Sequence, residues 1–172
     1  MTDVGNLTFD RADDRATLAA LVAAYARHAD GRDFDALAEL FVADGVLAMF
    51  NGHPDTTEPL RQRRGRAEIV AALALLGTYT VTHHMLGQHS AWFSATDRAR
   101  ATGETYCIAS HVRPAAHDAD QQGDKQGTGS NDHSVMRMMA IRYFDDYVVD
   151  GGTWRIERRR LAIDWIDEHP MG

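Results

Sequence analysis

The chain has 172 residues, the length of a single domain, and carries 18 Lys and Arg against 25 Asp and Glu, a net charge of −7. This acidic balance argues against binding to nucleic acid or to an anionic membrane surface. The one cysteine, Cys107, excludes an intramolecular disulfide. No apolar run approaches the roughly 20 residues that cross a bilayer, and the first residues lack the basic and apolar parts of a signal peptide. We therefore expect a protein of the cytoplasm.

The first half of the chain is predicted to be mainly helical. Residues 1–9 show no pattern and are expected to form a flexible leader. Apolar side chains then recur at spacings of three and four up to Asp30, and Gly31 is a typical helix stop. Asp33 is the expected N-cap of a second, shorter helix. In chain order the predicted elements are a helix over 11–30, a helix over 33–41, a strand over 46–50 after a turn at Asp44–Gly45, a loop over 51–65 and a helix over 65–76.

The second half changes to the alternating pattern of β-strands. Residues 113–132 are polar, contain almost no apolar side chain except alanine, and are predicted to be a flexible loop inserted in a hairpin. No repeat or second domain is evident, so residues 1–172 are expected to form one α+β domain. Its sheet is expected to be cone-shaped, curved and antiparallel, an α+β barrel wrapped by three N-terminal helices. The predicted long strands cover residues 80–93, 99–112, 134–148 and 153–166.

Alternation along these strands predicts which side chains face the inside of the cone. If His84 faces inward, Thr82, Leu86 and Gln88 do so as well. Apolar bulk combined with a few polar groups is typical of a small-molecule pocket. The same argument on the other strands places inside the cone Thr105, Cys107, Ala109, His111, Arg137, Met139, Ile141, Tyr143, Arg159, Leu161, Ile163 and Trp165.

Asp30, at the end of the first helix, and His84, in a buried strand, are the candidates for acid–base chemistry. A carboxylate beside an imidazole fixes its tautomer and stabilises the imidazolium. The same positions also suit a plain helix end and a core histidine, and spacing alone does not separate the two interpretations. A metal site of Asp30, His84 and His111 is a third interpretation. The sequence has no His-x-His or His-Glu-x-x-His pattern, and we expect no metal. An inward Arg159 needs a carboxylate or an anionic ligand as its partner.

Four segments resemble the SnoaL-like branch of the nuclear transport factor 2-like superfamily, over roughly residues 10–166. The last of them is common across the family and indicates its fold, whereas the combination of Tyr25, Asp30 and His84 is more specific. The branch includes scytalone dehydratase, bile-acid 7α-dehydratase and hexachlorocyclohexane dehydrochlorinase. The segments are Leu21–Asp35, which ends in an Asp-aromatic-Asp motif, Gly65–Ile69, Thr82–Gly87 and Gly151–Arg159.

The resemblance implies a cofactor-free lyase with an Asp–His dyad. Asp30 matches the aspartate of the dyad and His84 the catalytic histidine. Tyr25 matches the active-site tyrosine of the bile-acid enzyme, and His111 matches the second histidine of scytalone dehydratase. Arg159 matches an arginine shared by the bile-acid and dehydrochlorinase enzymes, and is expected to stabilise negative charge on the substrate or to pair with Asp30. These five residues are therefore the predicted catalytic set.

The predicted substrate is a hydrophobic cyclic small molecule that the dyad dehydrates. Arg137 and Met139 replace the serine and asparagine of scytalone dehydratase, which argues against a scytalone-like substrate. The alternatives are an isomerase or polyketide cyclase that uses the same base, and a non-catalytic ligand-binding protein or oxygenase small subunit. An open sheet face with alternating apolar residues predicts a homodimer or homotrimer. The expected apolar walls of the pocket are Met49, Leu86, Met139, Ile163 and Trp165.

Overall fold

The computed structural model describes residues 11–114 and 134–171. The predicted leader over 1–9 and the predicted loop from residue 115 onward lie outside these ranges, while Arg113 and Pro114 still belong to a strand. The helices are α1 (Ala12–Gly31), α2 (Phe34–Ala38) and α3 (Arg66–Leu73), which continues as a 3₁₀ turn over Ala74–Thr78. The strands are β1 (Phe41–Asn51), β2 (Pro59–Arg64), β3 (Val81–Phe93), β4 (Arg100–Pro114), β5 (Ser134–Asp150) and β6 (Thr153–Pro170).

The strands form one curved six-stranded sheet in the order β2-β1-β6-β5-β4-β3. Neighbours are antiparallel except for β1 and β6, which run parallel. Within the described ranges β2 and β3 are the two edges of this sheet and do not pair with each other, so the sheet is not closed into a barrel. The predicted α+β fold of a curved sheet with three helices is confirmed, in the form of an open cone. Within the described residues, no helix is both long enough and apolar enough to cross a membrane.

Two elements of the first half differ from the prediction. Pro59–Arg64, predicted as loop, is the edge strand β2, and all of its side chains are exposed. The segment therefore lacks the apolar alternation that marks a half-buried strand. Strand β1 begins already at Phe41 and runs through Asp44–Gly45, so α2 is shorter than predicted and the predicted turn at Asp44–Gly45 is part of a strand. A Cβ on Gly45 would lie 2.9 Å from the Cβ of Phe41, so this irregular part of β1 requires glycine.

The helices cover one face of the sheet, called here the inner face, and the core lies between them. Leu18, Leu21, Val22, Tyr25 and Ala29 of α1 pack there against inward side chains of the strands. Paired inward residues form rows across β3 to β6. The middle row is Leu86, Cys107, Ile141 and Ile163. On one side of it, called the upper end, lie two rows: His84, Ala109 and Met139, and then Thr82, His111 and Arg137. On the other side, called the lower end, lie two more: His89, Thr105, Tyr143 and Leu161, and then Gly103, Asp145 and Arg159.

Bulges change the predicted orientation of two side chains. The pairing of β3 shifts between Leu86 and His89, so His89 and not Gln88 lies on the inner face, with its Nδ1 2.8 Å from Thr105 Oγ1. On β6 the pairing shifts at Asp164, so that Trp165 pairs with Ala140. Trp165 is 47% exposed on the outer face, and its predicted inward orientation is wrong. Each extra residue reverses the alternation of the residues that follow it.

Candidate active site

Asp30 and His84 meet where the end of α1 lies against the edge strand β3. Oδ1 of Asp30 is 2.7 Å from Nδ1 of His84. Oδ2 of the same carboxylate accepts the backbone N–H of His84 at 2.9 Å. The side chain of His84 is 7% exposed and that of Asp30 is 25% exposed. One carboxylate therefore holds both the ring and the backbone of the histidine.

These two hydrogen bonds determine where the protons of the pair lie. Burial raises the pKa of Asp30, but the backbone N–H of His84, its imidazole and the side chain of Thr82 together lower that pKa below its ordinary value of 3.8. An ionised carboxylate only accepts hydrogen bonds, so Nδ1 of His84 carries the proton of this contact, and in a neutral ring Nε2 is the nitrogen with the lone pair. The pair can therefore accept a proton at Nε2 while Asp30 stabilises the imidazolium.

His111 on β4 is the second imidazole at the upper end. Its ring centroid lies 5.5 Å from that of His84 and 4.7 Å from that of Tyr79. The residue is 5% exposed, and its Nε2 has no hydrogen-bond partner among the described residues. Burial is the main cause that lowers the pKa of His111 to about 4, and the neighbouring His84 and Arg137 lower it further. His111 is therefore neutral at pH 7, and the only proton it can donate there is that of a neutral ring.

Arg159 lies at the lower end of the inner face and is fully buried. Its Nε and Nη2 donate to the two oxygens of Asp145 at 2.8 and 2.7 Å, and the hydroxyl of Tyr147 donates to the same carboxylate at 2.8 Å. Burial lowers the pKa of Arg159, but Asp145 raises it above its ordinary value. The partner of Arg159 is thus Asp145, and the expected pairing with Asp30 is wrong.

Tyr25 packs on this lower cluster and not on the Asp30–His84 pair. The guanidinium carbon of Arg159 lies 4.1 Å from the centroid of the Tyr25 ring and 4.2 Å from that of Tyr143. Tyr25 is 3% exposed, and burial raises the pKa of its hydroxyl. The five predicted catalytic residues therefore form two groups, Asp30, His84 and His111 at the upper end and Tyr25 and Arg159 at the lower end.

Three of the predicted pocket residues, Leu86, Met139 and Ile163, lie on the inner face in the row of His84 or the row next to it, and pack against the core. Met49 pairs with Leu161 on the inner side of β1 and is 37% exposed. Trp165, as described above, lies on the outer face. The apolar side chains around the histidines are thus fewer than predicted and come mainly from β3, β5 and β6.

A hollow of about 350 Å³ lies at the opposite end of the sheet from the dyad, and none of the predicted site residues lines it. Within the described ranges, no three His, Cys, Asp or Glu side chains are arranged to hold a metal ion. The residues lining the hollow are Trp92, Phe93, Ser94, Arg100, Ala101, Thr102, Asp146, Tyr147 and Glu157.

Sequence reasoning missed Asp145, Tyr79 and Arg32. The sequence contained a signal for Asp145, because this residue continues the inward alternation of β5; in the structure it pairs directly with Arg159. The sequence contained no signal for Tyr79, whose ring lies beside His111, or for Arg32, which contacts the start of β3. Their contacts depend on how α1 lies against β3, and no local pattern encodes that placement.

A family model described as a SnoaL-like domain matches residues 10–160 of the chain. Among curated proteins, none matches.

Solved structures with the same fold cover nearly the whole chain. The hexachlorocyclohexane dehydrochlorinase LinA, type 2, is 15% identical with a TM-score of 0.68, over 95% of this chain and 92% of that one. A scytalone dehydratase-like protein from Novosphingobium aromaticivorans is 18% identical with a TM-score of 0.64, over 93% and 90%. A protein assigned as the β subunit of an aromatic-ring-hydroxylating dioxygenase, from the same organism, is 15% identical with a TM-score of 0.65, over 90% and 92%. At these identities the likeness shows a shared fold.

Proposed function

The chain belongs to the SnoaL-like domain family, and on this premise we propose that it is a lyase that eliminates water from a hydrophobic cyclic small molecule. The observation that carries the proposal is the double hydrogen bond from the Asp30 carboxylate to the ring and backbone of His84. It leaves a basic nitrogen at Nε2 of a nearly buried imidazole. The similarity in fold to a dehydrochlorinase and to a scytalone dehydratase-like protein agrees with an elimination.

In the proposed reaction, Nε2 of His84 removes a proton from a carbon next to a carbonyl group, and Asp30 stabilises the imidazolium. The hydroxyl on the neighbouring carbon then departs, and a carbon–carbon double bond forms. His111 is neutral at pH 7 and donates a hydrogen bond to the departing oxygen. The imidazolium of His84 returns its proton to that oxygen, which leaves as water. General acid–base help of this kind contributes about 10²–10⁴-fold, and the scheme needs no cofactor.

Tyr25 and Arg159 have a different role in this proposal. Arg159 is fully buried, two of its guanidinium nitrogens bind Asp145, and the rings of Tyr25 and Tyr143 lie 4.1 and 4.2 Å from its guanidinium carbon. We assign these residues to the support of the lower end of the inner face and not to contact with the reacting atoms.

The second candidate is an isomerase or cyclase that uses the same base as the elimination. With His111 neutral, His84 is the acid nearest to the site once it has taken a proton. A base that takes a proton and returns it to another atom of the same molecule performs an isomerisation or assists a ring closure. The two reactions start with the same proton removal and differ in whether water is lost.

The test incubates the protein in deuterated water with a panel of cyclic β-hydroxyketones and follows the products by mass spectrometry and NMR. Elimination gives a product lighter by one water, whereas isomerisation gives deuterium uptake at constant composition. Asp30→Asn and His84→Gln should each reduce either rate by at least about 10²-fold. The matched controls are Asp35→Asn and His83→Gln, which change an exposed acid and an exposed histidine close to the pair and should keep the wild-type rate.

Three results would overturn the proposal. The first is a wild-type rate in Asp30→Asn or His84→Gln. The second is equal losses in the two control variants. The third is a wild-type protein that neither exchanges nor transforms any member of the panel and co-purifies with a large oxygenase chain, which would identify a non-catalytic subunit.

We further propose that two copies of the chain pair through the outer face of the sheet. A row of apolar side chains, Met85, Ile108, Ala140 and Trp165, crosses four strands there, and Met85 and Trp165 are 62% and 47% exposed. Met85→Glu should convert a dimer into a monomer in sedimentation experiments. Leu60→Glu, at a 58% exposed position on the edge strand β2, should not. A wild-type monomer would refute the pairing.

A further inference from the structure

Arg32 stands directly after the helix that carries Asp30, in a backbone conformation that disfavours it. Its φ is +61° and its ψ is 21°, the left-handed region, and within the described ranges it is the one non-glycine residue with positive φ. Glycine adopts this conformation without a steric cost, whereas a side chain is strained there. The preceding residue is Gly31, so a glycine lies one position away from where the backbone would favour it. Arginine in this strained conformation points to a specific task for its side chain.

The guanidinium of Arg32 joins the end of α1 to the start of β3. Nη1 donates to the carbonyl oxygen of Ala29 at 3.0 Å and more weakly to that of Asp30 at 3.4 Å. The same nitrogen donates to the hydroxyl oxygen of Thr82, two residues before His84. Nη2 donates to the carbonyl oxygen of Tyr79 at 3.2 Å. One planar group thus holds four points: two carbonyls of α1, the hydroxyl of Thr82 in β3, and the carbonyl of Tyr79 just before β3.

These contacts bear on each member of the upper group. The carbonyls of Ala29 and Asp30 fix the helix end from which the Asp30 side chain extends. Thr82 fixes the strand just before His84. Tyr79 carries the ring that lies 4.7 Å from His111. The hydroxyl of Thr82 uses a lone pair for Arg32 and keeps its hydrogen for another acceptor, and Thr82 is one of the groups that lower the pKa of Asp30.

We propose that Arg32 is a positioning residue that keeps the Asp30 carboxylate in register with His84 Nδ1. It touches neither the reacting atoms nor the imidazole. It acts through the carbonyls of the helix end and through Thr82. This inference rests on the proposed function only for its effect on a rate, because the position of the proton on His84 is a property of the free protein.

The test measures the tautomer of His84 directly. The protein is labelled with ¹⁵N-histidine, and long-range ¹H–¹⁵N spectra are recorded at neutral pH for the wild type, Arg32→Lys, Arg32→Gly and Arg66→Lys. Arg32→Lys keeps the charge and the strained backbone but loses the planar guanidinium that donates from two nitrogens. Arg32→Gly also loses the guanidinium, and it relieves the backbone strain. Arg66→Lys is the matched control, because Arg66 also holds a carbonyl with two nitrogens, that of Phe41 at 3.1 and 2.7 Å.

We expect the wild type and Arg66→Lys to show the tautomer of His84 with the proton on Nδ1. Both Arg32 variants should show at least a tenfold larger population of the other tautomer. Arg32→Gly should melt at a higher temperature than Arg32→Lys and yet show the same tautomer change, since a merely structural role would make the change follow the loss of stability. Once a substrate is identified, both variants should have a lower kcat and a nearly unchanged KM.

Three outcomes would overturn the inference: a wild-type tautomer in both Arg32 variants, an equal change in Arg66→Lys, or a change confined to the less stable Arg32 variant. Since none of these measurements uses turnover, a protein inactive on every substrate offered would refute the proposed function and leave the test of Arg32 unaffected.

Discussion

Neutralising Asp145 should be among the most damaging single changes in the chain. Its carboxylate accepts three hydrogen bonds of 2.7 to 2.8 Å, two from Arg159 and one from Tyr147. Asp145 is 1% exposed and Arg159 is 0% exposed. Asp145→Asn keeps the shape of the side chain but leaves a buried guanidinium without a counter-charge, and water cannot reach it.

The magnitude follows from burial. Removing one partner of a buried ion pair costs about 3–5 kcal/mol, and the amide oxygen that the asparagine side chain would keep places the expected loss at about 3 kcal/mol. In a domain of this size 1 kcal/mol moves the melting temperature by about 2–4 °C, so a fall of about 6–12 °C is expected. The double change of Asp145→Leu with Arg159→Met removes both charges and should be milder than Asp145→Asn alone.

The assay is urea unfolding followed by circular dichroism, with Asp164→Asn as the matched control. Asp164 accepts two hydrogen bonds of 2.9 and 2.8 Å from Arg142, the same bidentate geometry, but its side chain is 32% exposed on the outer face. A pair of that kind contributes about 0–1 kcal/mol. If Asp145→Asn lowers the free energy of unfolding no more than Asp164→Asn does, burial is not what makes the lower cluster important, and the reasoning fails.

Three further predictions concern His111, a glycine and the cysteine. The pKa of His111 is about 4 in the folded chain against an ordinary 6.5, so the unfolded chain binds the extra proton between those pH values and stability is lost as the pH falls through that window. Linkage gives about 2 kcal/mol at pH 5, or about 1 kcal/mol after solvent screening, and His111→Gln should flatten the dependence seen in urea unfolding between pH 7 and pH 5. A Cβ on Gly103 would lie 2.7 Å from Cε2 of Tyr147, so Gly103→Ala should cost about 1–3 kcal/mol in thermal unfolding, whereas Gly31→Ala, with no atom within 4 Å of the added Cβ, should not. Burial raises the pKa of Cys107 to about 11, so iodoacetamide at pH 8 should label the unfolded chain only; rapid labelling of the folded protein would contradict this.

The sequence predicted most of the fold because most of its elements are amphipathic. The alternation of β3 to β6 and the spacing of α1 are direct records of which side chains are buried. The prediction failed where burial produces no hydrophobic pattern in the sequence. Strand β2 is exposed on both faces, so its residues look like a loop, and the bulges at Gln88 and Asp164 insert a residue without changing the composition around them.

For the candidate site, the sequence predicted the contact between Asp30 and His84, but it grouped the pair with Tyr25 and Arg159, which lie at the other end of the inner face. Asp30 and His84 are 54 residues apart, and the resemblance to a family brought them together before the distance of 2.7 Å did. Arg159 was placed inward correctly, but its partner had to be read from the register of β5 against β6. Alternation along one strand predicts which face of the sheet a side chain lies on. The register between two strands is needed to predict which side chain lies next to it.

The geometry of the pair follows from the way α1 covers an edge strand. Strand β3 ends the sheet, so its outward backbone groups need partners from elsewhere. Arg15 of α1 donates to the carbonyl of Ala91 at 2.7 Å, and Asp30 accepts the N–H of His84 at 2.9 Å. Fifteen helical residues rise about 22 Å and seven strand residues span about 23 Å, so the two contacts fit the same length of helix and strand. Asp30 therefore reaches the ring of His84 because it is already bound to the backbone, and a shift of β3 by one residue would remove both contacts together.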